Sequence, residues 1–190
     1  MESYLAWLAC GSPEAAVRYR RAKQNAALVV TEAKTRVWEE FNEVMERLED
    51  LYQLTRKRKY ELKVDLQDFD GVTVYAQYSF SMESETDGYK LHISNFINGG
   101  AGDSLATNNG QKFTTFDKDQ DSHASGNCAK SYLGGFWYSQ CHHANPNGIY
   151  LWGRDGTYYA IGNVWQHWKG YDYGLKYISM KIRPVSVAQS

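Results

Sequence analysis

The spacing of apolar residues changes near residue 59, from the three-and-four repeat of a helix to the two-residue repeat of a strand. Residues 1–59 contain one of the 16 glycines, and residues 60–190 contain the other 15. A segment almost free of glycine can continue as one helix, whereas a glycine-rich segment needs many turns. We therefore predict an α+β chain, with a helical segment over residues 1–57 and a loop-rich domain over residues 58–188.

The predicted helix carries a short heptad repeat. It follows a start signal at Ser12-Pro13-Glu14. Its apolar residues are spaced by four and three at Val37, Phe41, Val44, Leu48 and Leu51. This seam fits either a coiled coil that forms a homo-oligomer or an amphipathic helix lying on a neighbour, and both interpretations stay open. The basic run at residues 56–59 likewise fits a polyanion-binding patch or the solvated end of a helix.

The segment after residue 59 begins with a predicted β-hairpin. Apolar and polar residues alternate over residues 60–66 and again over residues 72–80, with a turn signal at residues 68–71. The patterns at residues 89–93 and 177–182 predict two further strands. Four tryptophans are predicted to fill the core or to clamp loops: Trp137, Trp152, Trp165 and Trp168.

Three alternating aspartates, Asp117, Asp119 and Asp121, indicate a loop that could turn several carboxylates towards one hard cation. The loop is not an EF-hand, because Ser122 stands where the glycine is needed and Cys128 where the bidentate glutamate is needed. Calcium binding and a solvated acidic turn both fit this spacing.

The cysteines Cys128 and Cys141 enclose a short loop. A disulfide closing such a loop stabilises a domain by about 3 kcal/mol in the chain-entropy model. Zinc is the competing interpretation, with His142 and His143 beside Cys141, but adjacent ligands lack the usual zinc-site spacing. Cys10 remains and is predicted to be a free thiol.

Several function classes are disfavoured by the sequence. The net charge of −1 predicts no nucleic-acid partner. No apolar run is long enough to cross a bilayer, and residues 1–10 lack the features of a signal peptide. Ser139, His142 and Asp119 could be drawn as a catalytic triad, but no nucleophile elbow accompanies them. We therefore predict that the chain is not an enzyme.

The run from Phe136 to Gly148, FWYSQCHHANPNG, resembles the signature of fibrinogen-related domains. Phe136 stands where that family usually has a first tryptophan. The flanking segments YELKVDLQDFDG, GQKFTTFDKDQD and HWKGYDYGLKYISMKIRP agree with the same family, most closely with its microfibril-associated glycoprotein branch. The resemblance covers about residues 58–188. It implies the C-terminal part of a fibrinogen-like globular domain, with an antiparallel sheet and long loops stabilised by calcium.

The resemblance also implies a metal site and a disulfide. Ca²⁺ would be held by the carboxylates of Asp119 and Asp121 and by backbone carbonyls around His123 and Ser125. Cys128 and Cys141 would form the family's C-terminal disulfide.

A ligand pocket is implied beside a cis peptide bond between Gln140 and Cys141. Two amide N–H groups there would donate to an acetyl oxygen, while rings and a methyl group would enclose the acetyl carbon. The residues that match the pocket of acetyl-recognising relatives are Tyr132, Cys141, His142, Tyr159 and Ala160. Tyr158 competes with Tyr159 for its place, and Tyr171 and Tyr173 are further candidates for the border.

The function implied by the resemblance is calcium-dependent, lectin-like recognition outside the cell, with acetylated carbohydrates or extracellular-matrix glycoproteins as partners. The alternative is a structural matrix protein without an active pocket. The family's usual N-terminal subdomain is missing from this sequence, and the segment EAKTRVWEEFNEVME resembles a linker of non-LTR retrotransposon proteins. A chimeric gene product without function is therefore a further hypothesis. A peptide spanning residues 55–64, recovered by mass spectrometry, would contradict the idea that the joined chain is not a real product.

Overall fold

The computed structural model describes residues 47–154 and 156–185. The chain divides into two compact units, Met1–Arg47 and Leu48–Ser190, and the account that follows concerns the second. The start signal at residues 12–14, the heptad positions before Leu48, and Cys10 lie outside the described residues. Residues 47–55 are helical, so the end of the predicted helix is confirmed. The predicted domain boundary between residues 57 and 58 stays a prediction.

The second unit is built on a four-stranded antiparallel sheet. Its strands are β1 (Tyr60–Gln67), β2 (Thr73–Met82), β3 (Leu91–Gly99) and β6 (Tyr177–Pro184). They lie in the order β3-β2-β1-β6. A second sheet pairs two short strands, β4 (Gly153–Arg154) with β5 (Tyr173–Gly174).

The alternation read from the sequence explains which face of the large sheet is buried. In β1, Leu62, Val64 and Leu66 are at most 1% exposed, while the intervening residues are polar. Residues with opposite charges pair on the outer face, where Lys181 Nζ lies 2.9 Å from Asp65. The predicted hairpin is confirmed, since Tyr60 pairs with Phe80 and the register continues to the turn.

Two details of the strand prediction are wrong. Val72 precedes β2 and is 51% exposed, because it belongs to the turn. Tyr89 precedes β3 and has a φ of 51°, in the left-handed region. It is nevertheless buried, since its side chain turns into the core from a loop.

A buried ion pair joins the β1–β2 turn to the loops. Asp68 is fully buried, and its carboxylate accepts a hydrogen bond from the Val72 amide at 2.8 Å. Lys169 Nζ lies 2.7 Å from the other oxygen of Asp68. The ammonium group, which donates to the carboxylate, holds the pKa of Asp68 below its usual value. Because Lys169 ends the short helix Gln166–Lys169, this pair anchors that helix to the sheet.

Tryptophan side chains hold the long loops in place. Trp137 Nε1 donates to the Tyr89 carbonyl at 2.7 Å, and Trp165 Nε1 donates to the Ala101 carbonyl at 3.0 Å. Both side chains are buried, so the predicted clamping role is confirmed for these two. For Trp152 the prediction is wrong, because its side chain is 81% exposed. Trp168 is half-buried, with Lys169 Nζ 5.0 Å from its ring centroid.

The remaining regular structure is short. A five-residue helix spans Cys128–Tyr132, and single 3₁₀ turns span Glu85–Asp87 and Ala106–Asn108. In the part of the chain that the structure describes, no helix is both long and apolar enough to cross a membrane. The predicted α+β fold class is confirmed by the large sheet with few helices.

Candidate functional site

The aspartate-rich loop is held together by its own side chains. Asp117 accepts a hydrogen bond from Thr115 Oγ1 at 2.7 Å. Asp121 accepts from two backbone amides, those of His123 at 2.9 Å and Cys128 at 2.8 Å. Asp121 therefore ties the loop to the start of the helix Cys128–Tyr132, whose N-cap is Asn127.

The same loop presents oxygen atoms that the fold does not use. Asp119 accepts only a long contact of 3.4 Å, from the Asp121 amide to one of its oxygens. Among the described residues, no hydrogen bond is donated to the carbonyls of His123 and Ser125. The described residues contain no group of three or more His, Cys, Asp or Glu side chains suited to a metal ion. A cation at this loop would need backbone carbonyls beside the two carboxylates.

The disulfide between Cys128 and Cys141 is present, with Cα atoms 5.4 Å apart. It joins the aspartate loop to the segment that carries the two histidines. The peptide bond between Gln140 and Cys141 is cis, as the family resemblance implied. Because Cys141 is bonded to Cys128, it is not available to zinc, and the competing zinc interpretation is wrong.

Aromatic rings surround His142 on several sides. The centroid of its ring lies 4.6 Å from that of Tyr132 in an edge-to-face arrangement. The rings of Tyr138 and Tyr171 lie at 5.8 Å and 6.1 Å. His142 itself is 8% exposed. These residues form an aromatic cluster, which we call the His142 pocket because the family resemblance implies a ligand pocket there.

The polar atoms of the His142 pocket have few partners. Both ring nitrogens of His142 are buried, and although the Ala160 backbone is near enough to act on the ring, neither nitrogen makes a hydrogen bond of normal length and angle. The amide N–H groups of Cys141 and His142 donate to no acceptor among the described residues. Burial lowers the pKa of His142 to about 4, and the nearby Ala160 backbone opposes only part of this effect. The imidazole is therefore neutral at pH 7.

Acid is expected to destabilise the domain through His142. Its pKa is about 4 when folded, against 6.5 ordinarily, so the unfolded chain binds the proton more tightly. The stability is full above pH 6.5 and falls as the pH drops towards 4, by about 3 kcal/mol in all. Urea unfolding at pH 7, 5.5 and 4 measures this loss. A His142→Phe variant should lose much less stability over that range, and an unchanged slope would contradict the assignment.

The far wall of the pocket comes from the segment around Ala160. Ala160 has a φ of 63°, and its amide donates to the Tyr171 carbonyl at 3.1 Å. The Tyr171 hydroxyl donates to the His142 carbonyl at 3.2 Å. Tyr159 is 67% exposed, with its ring centroid 5.4 Å from that of Tyr171. Tyr171 thus links Tyr159 and Ala160 to His142.

The structure separates the remaining tyrosine candidates. Tyr171, one of the two further candidates for the border, contacts His142. Tyr173 packs elsewhere, with its hydroxyl accepting from the Phe69 amide at 3.0 Å. Tyr158 is 54% exposed and makes no ring contact with the pocket among the described residues. The geometry therefore favours Tyr159 over Tyr158 as the pocket residue.

Asn145 supports the pocket and was missed as a site residue. It is fully buried, and its side chain accepts from the Tyr138 hydroxyl at 2.6 Å and donates to the Tyr132 carbonyl at 3.0 Å. The turn that holds Asn145 needs a glycine at position 148, because a Cβ there would lie 2.4 Å from both Asn145 Nδ2 and the Gly162 carbonyl oxygen and would clash with them. The Asn-Pro-Asn-Gly turn is the sequence signal that could have identified this support.

Among the described residues, no hydrogen bond joins Ser139, His142 and Asp119. Ser139 Oγ donates to the Cys141 carbonyl at 3.4 Å, and neither nitrogen of His142 has a hydrogen-bond partner. The Ser139–His142–Asp119 triad drawn from the sequence is therefore not assembled. What the site offers chemically is a neutral imidazole and two free amide donors among aromatic rings.

Comparisons with known proteins identify the family of the domain. The model of the C-terminal globular domain of fibrinogen beta and gamma chains matches residues 32–185. Microfibril-associated glycoprotein 4 of Mus musculus is 51% identical over 142 residues, which are 72% of this chain and 54% of that protein. Fibrinogen C domain-containing protein 1 of Homo sapiens is 46% identical over 144 residues, 73% of this chain and 31% of that protein.

A solved structure shows the same fold. The fibrinogen-like globe domain of human ANGPTL6 superposes with a TM-score of 0.70 at 42% identity, covering 74% of this chain and 63% of that one. The chain spans about half the length of the microfibril-associated glycoprotein that it matches. By sequence and by structure, this chain belongs to the family of fibrinogen C-terminal globular domains.

Proposed function

We propose that the chain is a calcium-dependent extracellular recognition module that binds acetylated glycans or matrix glycoproteins in the His142 pocket. The observation that carries the proposal is the pair of amide N–H groups of Cys141 and His142, two buried residues, which donate to no acceptor among the described residues. Buried polar atoms without partners are rare in folded proteins and call for an explanation. A ligand that supplies the missing hydrogen bonds is such an explanation.

An acetyl group fits the chemistry of this pocket. Its carbonyl oxygen would accept from the free amides of Cys141 and His142, which donate to no described acceptor. Its methyl group would lie among the rings of Tyr132 and Tyr171, which flank His142. Small-molecule sites commonly combine apolar walls with a few convergent polar groups. Tyr159 is the exposed ring at the rim, where a sugar would extend into solvent.

Calcium would act through the aspartate loop. The carboxylates of Asp119 and Asp121, with the carbonyls of His123 and Ser125, form the oxygen-only donor set that Ca²⁺ prefers. Asp121 already bonds the Cys128 amide, and each of its oxygens has a further lone pair. When bound, the ion would fix the loop that leads through the disulfide to His142.

Binding to an acetylated resin tests the pocket. The full chain should bind the resin and should be released by free acetate or by a chelator. Tyr159→Ala is expected to weaken binding about fivefold, because an exposed ring that stacks on a ligand contributes on the order of 1 kcal/mol. Tyr158→Ala is the matched control and should change binding less than twofold. Equal losses for the two variants would remove the support for the pocket.

Two further variants test calcium in the same binding assay. Asp119→Asn should raise the calcium concentration needed for binding. Asp117→Asn removes an identical charge from a residue that bonds Thr115 and should leave that concentration unchanged. Resin binding that persists in excess chelator would contradict calcium dependence and would leave the pocket to be judged by the tyrosine variants.

The second candidate function is a structural matrix protein that binds other proteins through exposed aromatic side chains. Trp152 and Tyr150 are 81% and 50% exposed, with ring centroids 6.0 Å apart. One relative is named for its association with microfibrils. Binding to matrix glycoproteins that is lost in Trp152→Ala, but resists free acetate, would favour this second function.

A further inference from the structure

A groove lies between the basic run at residues 56–59 and the edge of the large sheet. Its volume is about 810 Å³. One wall is formed by residues 55–61, and the other by residues of β2 and β3, of which Phe80 and Ile93 are buried. Val185 and Asn109 complete the lining. We call it the basic groove.

The positive charge of the basic groove is not neutralised by the fold. Arg56, Lys57, Arg58 and Lys59 are all exposed, and no ion pair involves them among the described residues. Glu61 is the only carboxylate in the lining. Its side chain is already paired with Arg183 at 2.8 Å, so it cannot offset the four cations.

The lysines of the large sheet differ from the basic run because they have acidic partners. On its outer face, Lys63 and Lys181 both contact Asp65, at 2.8 Å and 2.9 Å. At its edge, Lys90 lies 3.6 Å from Glu83. These lysines have acidic partners close by, whereas four consecutive cations beside the groove have none among the described residues.

The backbone fixes where the basic run lies. The Lys59 carbonyl accepts from the Val185 amide at 2.9 Å, and Tyr60 pairs with both Phe80 and Pro184. At the other end, the Arg56 amide donates to the Tyr52 carbonyl, and buried Thr55 bonds the Leu51 carbonyl. The run is therefore held at both ends and cannot move away from the groove as a free tail.

The opposite wall supplies neutral hydrogen-bond donors. Ser81 and Ser94 are exposed on β2 and β3 and line the groove. Asn109 accepts from the Ile93 amide through Oδ1 at 2.9 Å, which leaves its NH₂ group free to donate. Hydroxyl and amide donors facing a row of cations are suited to anionic oxygens, as in sulfate groups.

We propose that the basic groove binds a sulfated polysaccharide, at a site separate from the His142 pocket. The charge comes from the four consecutive cations, and the donors on β2, β3 and Asn109 would position the sulfate oxygens. A nucleic acid fits less well, because single strands bind by stacking bases on exposed rings. Tyr60 and Phe80 in the lining are 9% and 4% exposed and offer no such surface. The exposed ring of His92, also in the lining, is bonded to Glu83.

The test compares two double variants of the full chain for binding to a heparin dodecasaccharide. Lys57→Gln/Arg58→Gln removes two charges from the basic groove. Lys112→Gln/Lys176→Gln removes two charges from exposed lysines that do not line it. At physiological salt we expect the groove variant to bind about tenfold more weakly, with a salt dependence shallower by about two units of logarithmic slope. The control should stay within about twofold of the unchanged chain.

Two competing ligands complete the experiment. A desulfated dodecasaccharide should fail to bind, and a twelve-nucleotide oligouridine should bind at least about tenfold more weakly than heparin. Equal losses in both double variants would overturn the proposal, because they would show attraction by overall charge. Equal binding of oligouridine, or full binding of the desulfated sugar, would overturn it as well. Acetylated-resin binding should be unchanged in the groove variant. The polysaccharide proposal and the His142 proposal are therefore tested independently of each other.

Discussion

Replacing Trp165 by alanine is expected to lower the free energy of unfolding by about 3–5 kcal/mol, as for other large aromatic side chains removed from a core. Trp165 is fully buried, and its indole N–H donates to the Ala101 carbonyl. Removing the ring leaves a cavity and an unpaired buried carbonyl. The Lys169 amide also donates to the Trp165 carbonyl, so the cavity opens beside the helix that holds the Asp68 ion pair. Urea unfolding followed by fluorescence and circular dichroism measures the loss.

Trp152→Ala is the matched control for this prediction. The same atoms are removed from a side chain that is 81% exposed, so the change should be within about 0.5 kcal/mol. If Trp165→Ala fails to fold, Trp165→Phe keeps most of the bulk and loses the donor, and a loss of about 1–3 kcal/mol is then expected. Losses of similar size at the two positions would contradict the clamping role of Trp165.

Removing the disulfide with Cys128→Ala/Cys141→Ala should lower the free energy of unfolding by about 3 kcal/mol. The bond closes a loop of sequence separation 13. It also fixes the aspartate loop to the residue before His142, so binding to the acetylated resin should fall together with stability. Unfolding of the unchanged chain with and without reductant gives an independent measurement of the same loss.

The single variants provide the control for the disulfide. Cys128→Ala and Cys141→Ala each break the same bond, so each should cost about as much as the double variant. If the losses of the two single variants instead sum to the loss of the double variant, each cysteine acts through its own packing. That result would contradict the crosslink as the cause.

The strands of this fold could be predicted where a two-residue alternation is long and unbroken. The pattern from Tyr60 to Leu66 is of this kind, and β1 follows it closely. Val72 and Tyr89 misled the prediction because apolar side chains in turns resemble the ends of strands. Trp152 misled it for a related reason, since the sequence does not show which side of a short loop faces solvent.

The candidate site was predictable where its residues are close in the chain. Cys128, Cys141 and His142 belong to one continuous motif, and the family resemblance of that motif implied the disulfide and the cis bond that the structure contains. Tyr171 was only a candidate for the border, because its contact with His142 bridges 29 positions in sequence. The support from Asn145 depends on a buried hydrogen bond to Tyr138, which no local pattern specifies.

The pairing of β6 with β1 has a consequence for how the domain is made. Gln67 of β1 pairs with Tyr177 of β6. Because β6 is the last of the described strands to be synthesised, β1 cannot complete its hydrogen bonding before then. Until then β1 has a hydrogen-bonding edge exposed, and such edges invite association with other chains. Contacts this distant in sequence also slow folding. Completion of the sheet therefore comes late in folding, after β6 has been synthesised and has paired with β1.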